Sequence, residues 1–201
     1  MRSAASIVPS VRARDPLARR GYSRRVTRAA TELRTQRTLL RPFSLADVPE
    51  AFAVFGDPVV MRYAAGAPDR DTAATRARLE RYIAHQEHHG FSKWSVRDAQ
   101  TGAYLGDAGV LHLPETGELE LGYRLARTHW GRGLATEVAS AWLGHAREVL
   151  RLQGLIAFAD RRNTASIRVL HKIGMQFARF DRLCDMDCVV HAAAPAHGHV
   201  R

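Results

Sequence analysis

Cysteine, lysine and long apolar runs are all scarce in this 201-residue chain, and each scarcity closes off a class of protein. Cys184 and Cys188 are its only cysteines, too few for a disulfide framework. Their C-x-x-x-C spacing beside Asp185 and Asp187 has no His or Cys partner at zinc spacing, so no metal is expected there. His85, His88 and His89 fall late in a polar, helix-like stretch and read as a solvated face rather than a ligand set. No apolar run reaches the roughly 18 residues needed to cross a membrane, and no apolar core follows the first basic residues as a secretory signal requires. The expectation is a cytoplasmic protein with no membrane contact.

With Lys93 and Lys172 the only lysines, the net charge of +10 is carried almost entirely by arginine. It is also unevenly placed. Residues 1–36 hold nine arginines against Asp15 and Glu32, with little apolar patterning, and read as a disordered tail. Such a tail is compatible with a passive extension, a transit peptide, an arm for weak RNA or ribosome contact, or sequence upstream of the true start. Residues 37–191 show regular apolar patterning and read as one domain; 192–201, rich in Ala, Pro, His and Gly, read as a flexible end.

Within the domain, 38–43 alternates as a strand ended by Pro42, and Ser44 with Asp47 at capping-box distance opens a helix to Phe55. Residues 56–71 read as a loop, and 72–88 as a charged helix burying Leu79, Tyr82 and Ile83. Three strand signals follow at 93–98, 104–112 and 118–125, joined by short turns as an antiparallel meander. A helix over 134–150, a strand over 155–159, a helix over 163–173 stopped by Gly174, and strands over 175–182 and 188–191 complete the order. The pattern predicts an α+β fold, a mixed sheet with helices on its faces.

The most informative stretch is ELELGYRLARTHWGRGLATEV, residues 118–138, a strand leading through Gly131 and Gly133 into a helix. Glycines there allow several backbone N–H groups to converge at a helix N-terminus, a setting that attracts phosphate. No Gly-Lys-Ser/Thr ending follows, which sets aside the triphosphate-hydrolase loop. A dinucleotide fingerprint would place a third glycine where Thr136 stands, which weakens that alternative.

Taken together, TQRTLLRPFSLADVPEAFAVF, ELELGYRL, HWGRGLATE and NTASIRVLHKIGM resemble the GNAT superfamily of acyl-CoA-dependent N-acetyltransferases, and within it the RimJ/RimL-like branch. The resemblance spans residues 37–191 and implies a mixed, mostly antiparallel central sheet with helices on both faces. It implies acetyl-CoA as cosubstrate, with Trp130, Gly131, Arg132, Gly133, Leu134, Ala135 and Thr136 forming the pyrophosphate turn. Tyr123, Arg124 and Leu125 would pair through their backbone with the pantetheine arm, as in strand addition, and Asn163 and Ser166 would contact the cofactor. These strands must splay to open a slot.

Acetyl transfer needs a base to take a proton from the amine, and Glu118 and Glu120, two apart on a strand, face one side. Glu120 is favoured as the base. Backbone N–H groups near 122–125 would meet the oxyanion, worth about 3 kcal/mol. The family's helical tyrosine, the acid for the leaving thiolate, is replaced by Leu170, which leaves Ser166 or water for that task. Trp94, Tyr104 and His112 are read as core residues before pocket residues. The acceptor is a primary amine, either a protein N-terminal α-amino group or a small molecule such as an antibiotic or polyamine. A non-catalytic acyl-CoA-binding module is the alternative class, and a monomer or homodimer is expected.

Overall fold

The computed structural model describes residues 32–113 and 116–194. The expectations for residues 1–31 and 195–201 concern stretches outside them. Among the described residues, eight strands form one sheet in the order β1-β2-β3-β4-β5-β6-β8-β7. They are β1 (Leu33–Arg34), β2 (Thr38–Pro42), β3 (Lys93–Asp98), β4 (Tyr104–His112), β5 (Leu119–Leu125), β6 (Leu155–Asp160), β7 (Gln176–Leu183) and β8 (Met186–Ala192). All neighbours run antiparallel except β5 and β6. The helices are α1 (Val48–Phe55), α2 (Pro58–Met61), α3 (Thr72–His89), α4 (Leu134–Glu148) and α5 (Thr164–Lys172).

Alternation along the meander divides the apolar residues between two faces, and each face has its own core. On one, Val110, Leu121 and Leu125 pack under α4 through Val138 and Trp142, with Trp94 set edge-on to Trp142 at 4.9 Å. On the other, Phe43, Phe55, Leu79 and Tyr82 gather α1 and α3 over the sheet. The fold is therefore the expected mixed α+β sheet covered on both faces.

Four local outcomes differ from the sequence reading. The sheet takes in Leu33 and Arg34, paired with Leu40 and Leu39, so ordered structure begins inside the stretch assigned to the tail. It also runs to Ala192, one residue past the expected end of the domain. The loop after α1 holds the one-turn helix α2, which starts where the Asp57 side chain accepts from the Val59 N–H at 2.8 Å. Asp47 does accept from the Ser44 N–H at 2.8 Å, but a 3₁₀ turn (Leu45–Asp47) intervenes before α1. The same carboxylate takes hydrogen bonds from Arg41 and Arg97, which ties the α1 entry to β2 and β3.

Candidate active site

The site is built around a fork in the sheet. β5 pairs with β6 only at Leu119–Leu155 and Glu120–Ile156. Beyond Glu120, β5 stays with β4 as far as Leu125 opposite Gly106, while β6 turns to β8. In an antiparallel pair, alternate residues point their N–H and C=O away from the partner, so the β5 segment past Glu120 presents main-chain groups to the gap. This is the splay that an extended amide chain would need.

Glu120 stands at the vertex, and the register explains its environment. Lys93 lies opposite Gly109, and Gly109 opposite Gly122, so the two glycines leave a bare lane across β4 and β5. The Lys93 ammonium crosses it to Glu120 Oε2 at 2.9 Å and also donates to the Gly109 carbonyl at 3.0 Å. A β-carbon on Gly122 would run into both Glu120 Oε1 and Lys93 Nζ, so glycine lets this pair close over the strand where a larger residue would push the two ends aside. Both side chains are largely covered, 6% and 13% exposed. Sequence reasoning passed over Lys93, because its reach to Glu120 depends on cross-strand register.

Glu118 goes elsewhere. Arg179 on β7 donates to it at 2.8 Å and also holds Asp181, so the two glutamates have different ion-pair partners. Of the two candidate bases, it is Glu120 that lies where β5 and β6 part. Arg124 faces the same side as Glu120, with its guanidinium on buried Asp107 at 3.0 Å, on the Tyr82 hydroxyl at 2.9 Å and over the Phe55 ring. Burial works against that charge, but Asp107 and Tyr82 outweigh it and hold the guanidinium protonated beyond its ordinary range. The Arg124 side chain is thus a packing bolt, and the β4–β5 register turns its main-chain groups to β4, leaving those of Tyr123 and Leu125 toward the fork.

On the opposite face of β5, the Tyr123 hydroxyl lies 2.9 Å from Ser166 Oγ and donates to the Ser166 carbonyl at 3.2 Å. Burial pushes the phenol up to about 12, against the opposing hydrogen bond from Ser166. It therefore keeps its proton at neutral pH. Ser166 sits in the first turn of α5, whose N-cap Asn163 accepts from the Ser166 N–H at 3.1 Å. Leu170, where the family's helical tyrosine would stand, is buried in the core at 1% exposure. A hydroxyl from the strand thus borders the place the helical one has left, a role that the sequence reading did not give to Tyr123.

The glycine turn has the expected conformation. Gly131 and Gly133 adopt φ of 75° and 77°, and Gly133 caps α4 without a side-chain bond. The first intrahelical bond is Glu137 N–H to Gly133 O, so the amides of Leu134, Ala135 and Thr136 precede it without intrahelical partners. Trp130 and Arg132 are exposed beside them, with the Trp130 indole donating to the Leu125 carbonyl at 2.8 Å. One brace was not foreseen. Arg37 donates to the Arg132 carbonyl at 2.9 Å and to Glu137 Oε2 at 2.7 Å, which fastens the turn to the β1–β2 hairpin and brings a second arginine to its rim. Burial would raise the Glu137 carboxyl, but bonds from Thr35 and Arg37 win and hold it below its usual value.

At the C-terminal end of β6, a recess of about 610 Å³ lies between the α2 region (Met61, Arg62, Gly66) and the β7–β8 turn (Cys184, Asp185, Met186), lined also by buried Asp160 and exposed Arg162. Trp94 and Tyr104 are not among its lining residues; Trp94 is buried, and Tyr104 is partly buried against the α1–α3 core.

Residues 37–176 match the acetyltransferase (GNAT) domain family. The Bacillus subtilis uncharacterized protein YkkB is 35% identical over 154 residues, covering 75% of this chain and 88% of YkkB. The crystal structure of an acetyltransferase from Agrobacterium tumefaciens superposes with a TM-score of 0.72 at 29% identity, over 81% of this chain and 94% of that one. RimL, a ribosomal L7/L12 α-N-protein acetyltransferase solved with coenzyme A, shares the fold with a TM-score of 0.69 at 14% identity, over 81% and 97% of the two chains. The forked sheet, the glycine turn and these likenesses lead to one conclusion: this chain belongs to the GNAT acetyltransferase family.

Proposed function

We propose that this protein transfers an acetyl group from acetyl-CoA to a primary amine, within the RimJ/RimL-like branch, with a protein N-terminal α-amino group as the first acceptor class to test. The observation that carries this reading is the fork itself, with a carboxylate at its vertex, a hydroxyl pair on one face and an anion cradle at its end. Acetyl-CoA supplies an activated thioester. The residues present fit it: the amides of 134–136 and the arginines at 37 and 132 suit a diphosphate, and the unpaired edge of β5 suits a pantetheine amide. Tyr123 and Leu125 serve through their main chain, while the main-chain groups of Arg124 turn to β4, and Asn163 and Ser166 border the same gap.

In this reading Glu120 accepts the amine proton, directly or through one water, and the Lys93 ammonium fixes the carboxylate at the vertex. Amides of 122–125 that face the fork offer hydrogen bonds to the developing oxyanion. Tyr123, held by Ser166, returns a proton to the leaving thiolate. The acceptor enters from the recess beside Asp160 and Asp185. Its exposed rim has room for a peptide end as well as for an antibiotic or polyamine.

Thiol release from acetyl-CoA against a panel of N-terminal peptides, polyamines and aminoglycosides tests the proposal. Turnover on a peptide supports it in full. Turnover on small amines alone moves the acceptor class, and coenzyme A binding without turnover on any amine overturns the enzyme in favour of a binding module. The cradle has its own test. A β-carbon at a φ of 77° costs about 1–2 kcal/mol, so Gly133→Ala should weaken coenzyme A binding by roughly 10-fold in calorimetry while the fold persists.

A further inference from the structure

We propose that His85, His89 and His112 form a three-histidine site for a divalent transition-metal cation, Zn²⁺ foremost, which pins the C-terminal end of α3 to β4. His85 and His89 stand four residues apart on α3 and so share one face of the helix. β4 ends at His112, which the tertiary fold brings against that face. Each imidazole offers a nitrogen, and the three nitrogens lie within 4.8 Å of one another. His85 Nε2 and His112 Nδ1 are already 3.2 Å apart. Nitrogens about 2.0–2.1 Å from a tetrahedral Zn²⁺ are separated by roughly 3.4 Å, so that pair has the required spacing and His89 needs a small ring adjustment.

A second, independent feature sets the chemistry of His85. Its Nδ1 lies 2.7 Å from the Phe91 carbonyl oxygen, which can only accept. The proton therefore resides on Nδ1, and the Nε2 lone pair faces His112, whose backbone N–H reaches it at a long 3.4 Å, a contact that a metal ion would displace. Metal-bound histidines are held in the same way, one ring nitrogen donating to a carbonyl while the other binds. The donor set is three imidazoles and no carboxylate. That excludes the hard cations Ca²⁺ and Mg²⁺, which take oxygen, and selects Zn²⁺ and its late first-row neighbours. All three rings are partly exposed, which leaves a fourth position for water. Lys93, whose charge is felt at His85, is neutralised by Glu120, so the site does not face an uncompensated cation.

The cluster is independent of the acetyl-transfer reading and is tested without it. The full chain, prepared without a histidine tag and stripped with chelator, is titrated with Zn²⁺ against a chromogenic competitor. One Zn²⁺ per chain is expected, with affinity lowered about 100-fold or more in His85→Ala, His89→Ala and His112→Ala. It should be unchanged in His88→Ala, whose ring packs edge-on against His89, and in His197→Ala/His199→Ala near the C-terminus. Zn²⁺ should raise the thermal midpoint of the parent chain and not of the three variants. Co²⁺ in the parent chain, which needs no variant to fold, should give the intense visible bands of four-coordinate cobalt. No uptake, uptake that survives the three substitutions, uptake lost with His197 and His199, or a weak six-coordinate Co²⁺ spectrum each overturns the site.

Discussion

Glu120→Gln is expected to lower kcat by about 10²–10⁴-fold while leaving coenzyme A affinity nearly unchanged, because the amide keeps the shape of the side chain but cannot take a proton. The structure adds a complication that decides how the experiment must be run. Glu120 is also the counter-charge of Lys93, which is 5% exposed and in the amide variant keeps neutral acceptors, the Gly109 carbonyl and the amide oxygen, but no counter-charge. Breaking a buried ion pair from one side costs about 3–5 kcal/mol, and the partial exposure of this one puts it toward the lower end. Lost activity alone would therefore not separate a base from a structural partner. Lys93→Met/Glu120→Gln removes both charges and should recover most of the stability, whereas turnover should stay low if Glu120 accepts the proton. Recovery of turnover together with stability would reduce Glu120 to the partner of Lys93. Chemical denaturation and single-turnover kinetics on the three proteins give the answer.

Asp107→Ala is expected to be the most destabilising of the substitutions considered. Asp107 is fully buried on β4, and its carboxylate holds Arg124 with two bonds, at 3.0 and 3.2 Å. Arg124 in turn reaches Tyr82 on α3 and lies 4.7 Å from the Phe55 ring centre on α1. Removing the carboxylate leaves a largely buried guanidinium with only neutral hydrogen-bond partners, Tyr82 and Met61, at a cost of about 3–5 kcal/mol. For a chain of this size that is a fall in thermal midpoint of roughly 6–20 °C, measured by calorimetry. Arg124→Met/Asp107→Leu should be much milder, since it removes both charges and keeps the volume. A midpoint unmoved by Asp107→Ala would mean that the α1–α3 layer does not depend on this pair.

The two long helices were legible because each lays one face on a core, so a period of about 3.6 is imposed by burial, and the meander because short turns bracket three strand-length runs buried between the two cores. The β7–β8 connection was not. Leu183 pairs directly with Met186, and the two residues between them, Cys184 and Asp185, take φ of 49° and 60°. A two-residue hairpin with positive φ at both positions usually announces itself with Asn-Gly or Asp-Gly. Without that signal the turn read as a longer break, and β8 as starting at Cys188 rather than Met186. The charged groups of the site were half legible for a similar reason. Glu120 and the glycine turn sit in one continuous stretch, but Lys93 and Arg37 enter from strands far away in sequence, and only pairing brings them in.

The sequence by itself determined the family, the α+β layering and the place of the anion turn, because each is written locally: in alternation, in helical period and in glycines where the backbone needs a positive φ. Tertiary structure decided which side chains meet. It sent Glu118 to Arg179 and Glu120 to Lys93, bound the Arg124 guanidinium to Asp107, and put the Tyr123 hydroxyl on Ser166. It also gathered His112 to the histidines of α3. Those partnerships depend on register, on the splay of two strands and on the angle at which a helix crosses a sheet. No window of sequence contains them, since the residues concerned lie on different elements and meet only when the two cores close.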